Sequence, residues 1–250
     1  MTVRIHPGGV PISPQPYREL EDQALEWISG NRLRTIVTMS FPMLGPYFNR
    51  DDYRAAINGG DIILPDGMTM VWIARRCGYR IPERLSGPDF FVRFSAAADR
   101  EKLRYCLMGS TSPVLEKMRR RLAREFPGIV VADTISPPFG AWSPETESRL
   151  VSRINASQAD VLWLGVTAPR QEIWLHRQGE RLNVPLAAAI GAGFDFFAGT
   201  RRRAPAWMRR SGLEWLHRVA REPLRMLPRY LRSVPAVTRM ILACRRGDDA

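Results

Sequence analysis

Asp66 stands in "LPDGMT" (64–69), where a short apolar stretch, "DIIL" (61–64), gives way to a segment with helical spacing. A carboxylate at the carboxyl end of a strand reaches the crevice where open α/β sheets bind their ligands. There it could take a proton from an attacking hydroxyl. Asp is also among the best helix N-caps, and residue type alone favours that simpler role. Arg84, in "IPERLSGPDFF" (81–91), lies on a loop punctuated by Pro and Gly. Its guanidinium could pair with phosphate oxygens as a fork, or be one more surface arginine in an Arg-rich chain. Asp89, four residues before Arg93, reads equally as a helix-start acid. Gln171 follows Pro169-Arg170 at a helix start, where it could hydrogen-bond a sugar or a base, or be an ordinary first-turn residue. In "GAGFDFFAGT" (191–200), Gly191 opens a flexible Gly-x-Gly, and Phe194 flanks Asp195. A carboxylate among phenylalanines needs a partner, so Asp195 is either a structural hydrogen-bond hub or part of a nucleoside pocket.

Several kinds of chemistry lack their residues. His6, His176 and His217 are scattered and suggest neither a metal site nor a triad. No DxD or DxH ends a strand, and no GxGxxG or phosphate-binding P-loop is present. The expectation is an enzyme without metal or cofactor, in which arginines and helix N-termini stabilise any leaving diphosphate. Cys77, Cys106 and Cys244 are far apart and form no CxxC pair. That spacing argues against a disulfide framework and for a reducing cytosol.

The elements that must position these residues follow from hydrophobic pattern. Six apolar runs read as buried strands: 33–38, 61–64, 104–109, 129–133, 160–165 and 185–191. Between them, about 50–58, 67–77, 88–98, 112–126, 143–156 and 169–182 have helical spacing. The alternation predicts an α/β domain over 21–199 with a largely parallel sheet. Residues 1–20 carry Pro7, Pro11, Pro14 and Pro16 and read as an irregular leader.

After residue 200 the texture changes. Residues 201–246 hold 13 arginines against two acids, Glu214 and Glu222. Trp207, Leu213, Trp215, Leu216, Leu224 and Leu227 are interleaved with them, and Pro223, Pro228 and Pro235 divide the stretch into short helices. The chain's formal charge is +12, which calls for an anionic partner. Basic amphipathic helices with Trp and Leu suit a membrane surface. The rival partner is nucleic acid, weakened because these aromatics fall at helical spacing and not as stacking platforms on strands. No stretch reaches the roughly 18–20 apolar residues of a spanning helix, and the first thirty residues show no secretory signal. The expected location is therefore cytoplasmic, peripheral on the inner face of the membrane. A basic peripheral protein binding nucleic acid or anionic membranes without catalysis is the alternative on composition alone.

Five ordered motifs between about residues 33 and 232 resemble the WecG/TagA/CpsF glycosyltransferases (glycosyltransferase family 26). They are Pro-Asp-Gly at 65–67, Pro-Glu-Arg at 82–84, Ala-Pro-x-Gln-Glu at 168–172, Phe-Asp-Phe with Ala-Gly-Thr at 194–200, and Ala-Pro-x-Trp-Met followed by Gly-Leu-Glu-Trp-Leu at 204–216. The resemblance implies a Rossmann-like fold with a basic C-terminal helical appendage. It implies inverting, metal-independent transfer of a sugar from a UDP donor to a polyprenyl-diphosphate-linked glycan, in building surface polysaccharides or exopolysaccharides. It makes Asp66 the base, in its turn with Gly67, and places Thr38, Arg84 and Gln171 in the donor pocket. It adds appendage arginines to the site, here Arg218, Arg221, Arg225 and Arg229. It leaves homo-oligomerisation open and implies no nucleic-acid partner. The chain departs from the pattern at Ser40, where the family often has Asn, and at Thr167, where a Gly is usual. The donor sugar stays open between N-acetylmannosamine, its uronic acid, glucose and glucuronate.

Overall fold

The structure, a computed structural model, describes residues 3–30 and 32–246. The outer ends of the leader and of the basic appendage lie outside the described residues. The strands are β1 (Arg34–Ser40), β2 (Ile62–Asp66), β3 (Arg104–Gly109), β4 (Val130–Ile135), β5 (Val161–Gly165) and β6 (Leu186–Ala189). The helices are α1 (Tyr17–Ile28), α2 (Phe41–Asn49), α3 (Asp51–Asn58), α4 (Met68–Arg76), α5 (Gly87–Arg100), α6 (Ser112–Glu125), α7 (Pro144–Ala156), α8 (Arg170–Gln178), α9 (Gly193–Phe197), α10 (Ala206–Arg210), α11 (Glu214–Arg221), α12 (Pro223–Leu231) and α13 (Val234–Arg246). Sheet order is β2-β1-β6-β5-β3-β4. The pairs β1–β6, β6–β5, β5–β3 and β3–β4 are all parallel. The fold is thus mixed α/β, with a largely parallel sheet flanked by helices, as the alternation of elements predicts.

The chain gathers into two compact units, and the division passes through β1. One comprises residues 18–36 and 87–202. Its core is built round Trp163 of β5, fully buried. The rings of Phe90, Phe91, Phe94 and Tyr105 pack against it at centroid distances of 4.7–6.1 Å. Such tilted and edge-on pairs add to the area they bury. Glycine is required where β3 and β5 end, because a Cβ on Gly109 would lie 2.4 Å from the Gly165 backbone. The Phe194 ring fills the space above Gly165, where a Cβ would stand 2.4 Å from it.

The other unit comprises residues 1–17, 37–86 and 203–250. Here the leader is more ordered than its prolines suggest. Ile5 and Ile12 form an antiparallel bridge, and Ser13 continues alongside β2. The Ser13 N–H donates to the Ile63 carbonyl, and the Ser13 hydroxyl accepts from the Ile63 N–H. The leader therefore covers the edge of the end strand, which would otherwise offer unpaired backbone groups. Helix α1 begins at Tyr17, inside the stretch read as irregular.

The expectation that no cysteines pair is corrected. Cys77 and Cys244, 167 residues apart, form a disulfide with a Cα–Cα distance of 4.9 Å. Sequence spacing hides the pair because the fold brings the last turn of α13 to the C-cap of α4. Cys106 is a free buried thiol.

Candidate active site

The pocket at Asp66 lies in the unit made of residues 1–17, 37–86 and 203–250 and is assembled from three stretches of it. β2 is buried from Ile62 to Pro65 and emerges at Asp66. The chain then turns at Gly67, whose φ of 93° is a conformation suited to glycine, and enters α4. Gly67, not Asp66, is the N-cap, so Asp66 is the final residue of the strand and not the helix cap that its residue type suggests. Ser40 ends β1 and caps α2 without a side-chain cap bond. The pocket is lined by Ser40, Phe41 and Pro42, by Asp66 to Thr69, and by Arg209, Gly212, Glu214, Trp215, Arg218 and Tyr230 of the C-terminal helices. Thr38, two residues earlier on β1, is 3% exposed.

Charge organises this pocket. Glu214 of α11 gathers three arginines: Arg84 at 3.6 Å, Arg203 at 3.5 Å and Arg218 at 3.5 Å. Arg203 also donates to the Ser86 hydroxyl at 2.8 Å. Asp66 feels all four groups. Enclosure by protein pushes its carboxyl up to about 6; Glu214 pushes in the same direction, while Arg218, Arg84 and Arg203 oppose them. A carboxylate with that affinity for protons is poised as a general base near neutrality. Tyr230 closes one wall, its ring 5.2 Å from Phe41 and 6.0 Å from Trp215. Burial pushes its phenol up to about 12, so it stays protonated and can donate.

The four appendage arginines separate. Arg218 lines the pocket. Arg229 is half-buried, and burial, with Arg225 and Arg218 nearby, lowers its proton affinity. Arg225 is exposed and paired with Glu222 at 2.9 Å, and Arg221 is exposed. Arg84 is held beside Glu214 in a largely covered position, so it is no free surface arginine.

Asp89, Gln171, Gly191, Phe194 and Asp195 belong to the unit of residues 18–36 and 87–202. Asp89 is in the first turn of α5. Gln171, 1% exposed, begins α8 and donates to Glu172 at 2.7 Å. Its amide oxygen is buried with no partner among the described residues. Gly191 has φ of 53°, and a Cβ there would lie 3.5 Å from the Gln171 amide nitrogen. Phe194 is fully buried. Asp195 is partly exposed and accepts from the Thr200 hydroxyl at 3.2 Å, with Arg201 at 4.0 Å.

Sequence reasoning passed over Arg203, Arg209, Glu214, Trp215 and Tyr230 as site residues. One signal was present: Glu214 is one of only two acids in a stretch of 13 arginines, and an acid among so many cations is positioned to collect them.

Comparison with known proteins agrees with the motifs. The family model described as "Glycosyl transferase WecG/TagA/CpsF family" matches residues 5–249. A Bacillus spizizenii (strain W23) protein named N-acetylglucosaminyldiphosphoundecaprenol N-acetyl-beta-D-mannosaminyltransferase is 29% identical over 196 residues, covering 78% of this chain and 74% of the relative. A protein of the same name from Bacillus subtilis (strain 168) is 27% identical over 188 residues, 73% of this chain and 72% of the relative. The chain belongs to the WecG/TagA/CpsF glycosyltransferase family.

Proposed function

We propose that the chain is an inverting, metal-independent hexosyltransferase. It moves a sugar from a UDP donor to a glycan carried on polyprenyl diphosphate, at the inner face of the cytoplasmic membrane. The observation that carries this reading is Asp66, its carboxyl pushed up to about 6, in a pocket lined by Arg209 and Arg218 and under the charge of Arg84 and Arg203 as well. A base with cations in and around its pocket suits a reaction that takes a proton from a nucleophile and builds negative charge on a leaving group.

In this mechanism an acceptor hydroxyl gives its proton to Asp66 as its oxygen attacks the anomeric carbon. The bond from that carbon to UDP breaks on the opposite face, and its electron pair leaves with the diphosphate. Single displacement inverts the anomeric centre. Arg84, Arg203 and Arg218 neutralise the charge that develops, helped by the N-terminus of α4 at Gly67 and Met68. Thr38 and Ser40, on β1 of the same unit, serve the donor sugar.

The two Bacillus relatives are named for transfer to N-acetylglucosaminyldiphosphoundecaprenol, and we take the same class of lipid-linked acceptor here. The C-terminal helices support a membrane surface as the place of reaction. Trp207, Leu216, Leu224, Leu227 and Leu231 are exposed between arginines, a composition suited to the headgroup boundary. Among the described residues no helix is long and apolar enough to cross a membrane.

A thermal-shift series with UDP, GDP and UDP-sugars tests the reading. UDP and one UDP-sugar are expected to raise the melting temperature, and the sugar that does so should be transferred to a lipid-linked acceptor. No stabilisation by any uridine nucleotide would contradict it.

A further inference from the structure

Tyr230 lines the Asp66 pocket beside the base and Arg218. Only 6% of the residue is exposed. The charges that act on its hydroxyl are those of Arg218, Asp66, Glu214 and Arg229. The first three line the same pocket, so the polar end of the side chain, and not the ring alone, lies on the pocket side. Among the described residues the hydroxyl has no hydrogen-bond partner. A phenol enclosed in this way loses most of its contact with water, and a ligand can supply the bond that the protein does not.

The side chain is held in place by its packing. Phe41 and Trp215 stand against the ring with centroids at 5.2 Å and 6.0 Å. The backbone is fixed as well. Ser233, one turn on, donates its N–H to the Tyr230 carbonyl at 2.9 Å. The Ser233 hydroxyl accepts from the Gly45 N–H at 3.1 Å, and Gly45 lies one turn of α2 beyond Phe41. The end of α12 is thereby docked on the first turns of α2, with the aromatic pair at the same contact. A donor set by locked packing costs little to organise when its ligand arrives.

Between about 6, where Asp66 ionises, and about 12, the phenol is neutral and keeps its proton. It is thus a donor throughout the range in which the base is active. Hydrogen bonds to charged acceptors contribute most, which favours an anionic oxygen over a sugar hydroxyl. The reaction handles two diphosphates, one on the nucleotide and one on the lipid carrier. In an inverting displacement the leaving oxygen lies in line with the anomeric carbon and the attacking oxygen. The β-phosphoryl group of the nucleotide therefore stands across a single carbon from the oxygen that Asp66 deprotonates, whereas the carrier's diphosphate lies beyond the acceptor glycan. A pocket that holds both Asp66 and Tyr230 suits the nucleotide's diphosphate.

We propose that Tyr230 is a further catalytic residue, its hydroxyl donating a hydrogen bond to a β-phosphoryl oxygen of the nucleotide donor. The bond strengthens as the sugar–oxygen bond breaks and its electron pair passes to the departing UDP; the proton stays on the phenol. The inference rests on the donor class proposed above. The test is calorimetric titration of wild type and Tyr230→Phe with inorganic diphosphate, UDP, UMP and geranyl diphosphate. Phenylalanine keeps the ring against Phe41 and Trp215, so the melting temperature should not change. Affinity for inorganic diphosphate and for UDP should fall about tenfold or more, while affinity for UMP, which has no β-phosphoryl group, should stay within about twofold. With a UDP-sugar, kcat should fall as well, because the bond is stronger in the transition state. UDP affinity within about twofold of wild type, equal losses on UDP and UMP, or a loss confined to geranyl diphosphate would overturn the assignment. A wild-type chain that binds inorganic diphosphate through Tyr230 but no uridine nucleotide contradicts the proposed donor and leaves the phosphate contact standing. A Tyr230→Phe chain that binds UDP and transfers sugar as wild type does contradicts the contact and leaves the proposed activity standing. A wild-type chain that binds neither inorganic diphosphate nor UDP overturns both.

Discussion

Asp66 was legible in the sequence as a strand-end carboxylate, but its surroundings were not. Residue type pointed to a helix cap, and only the backbone shows that Gly67 takes that position. The groups that tune it, Arg203, Glu214 and Arg218, come from more than 130 residues along the chain; no local pattern announces that they meet. Their signs give opposed predictions. With Asp66 as the proposed base, its carboxylate is the active form, so the acid limb of kcat/KM should rise through about pH 6 and level above it. Glu214 raises the Asp66 proton affinity and Arg218 lowers it. Glu214→Gln should therefore shift the acid limb to lower pH, and Arg218→Gln should shift it to higher pH, each by about half a unit to one unit. Limbs that do not move, or that move together, would separate Asp66 from this cluster.

At the scale of elements, the six strands were readable because buried parallel strands are continuous apolar runs. Helix α2 falls outside the segments read as helical, and its Pro42, Gly45 and Pro46 are residue types that ordinarily break helices. Pro42 sits in the first turn, where its missing N–H costs nothing, and Pro46 is tolerated inside the helix. The pairing of Cys77 with Cys244 was equally hidden. It closes a long loop, which restricts the unfolded chain, and it ties α13 to α4. Thiol titration of the denatured, unreduced chain should find one reactive thiol, Cys106, rising to three after reduction. Three thiols before reduction would show the pair open. Gly212 is a further test of how the C-terminal helices seat: its φ is +70°, and a Cβ would lie 2.2 Å from the Trp72 ring. Gly212→Ala should lower stability by about 1–3 kcal/mol, measured by denaturant unfolding, and should weaken UDP-sugar binding at the adjoining pocket.

For the whole molecule, charge was legible and spatial grouping was not. The +12 balance and the arginines past residue 200 point to an anionic surface. The two compact units, however, are each assembled from separated stretches, a pattern that composition along the chain does not display. Sedimentation with vesicles containing anionic lipid should capture the protein, and salt should release it, since exposed charges are screened beyond about 8–10 Å at 0.1–0.15 M ionic strength. Equal capture by neutral vesicles would contradict an electrostatic contribution.

The central claim is that Asp66 is the base, and its most direct test is turnover of Asp66→Asn with a lipid-linked acceptor and saturating UDP-sugar. General-base contributions are about a hundredfold to ten-thousandfold, so kcat should fall by about a hundredfold or more. The protein should not unfold as a result. Because the folded carboxyl titrates near 6, above its ordinary 3.8, burial makes Asp66 cost stability as pH rises between those values; a neutral Asn escapes that cost. At pH 7.5 the variant should melt no lower than wild type and still bind donor. Turnover within a few-fold of wild type, in a protein that melts normally, would contradict the account.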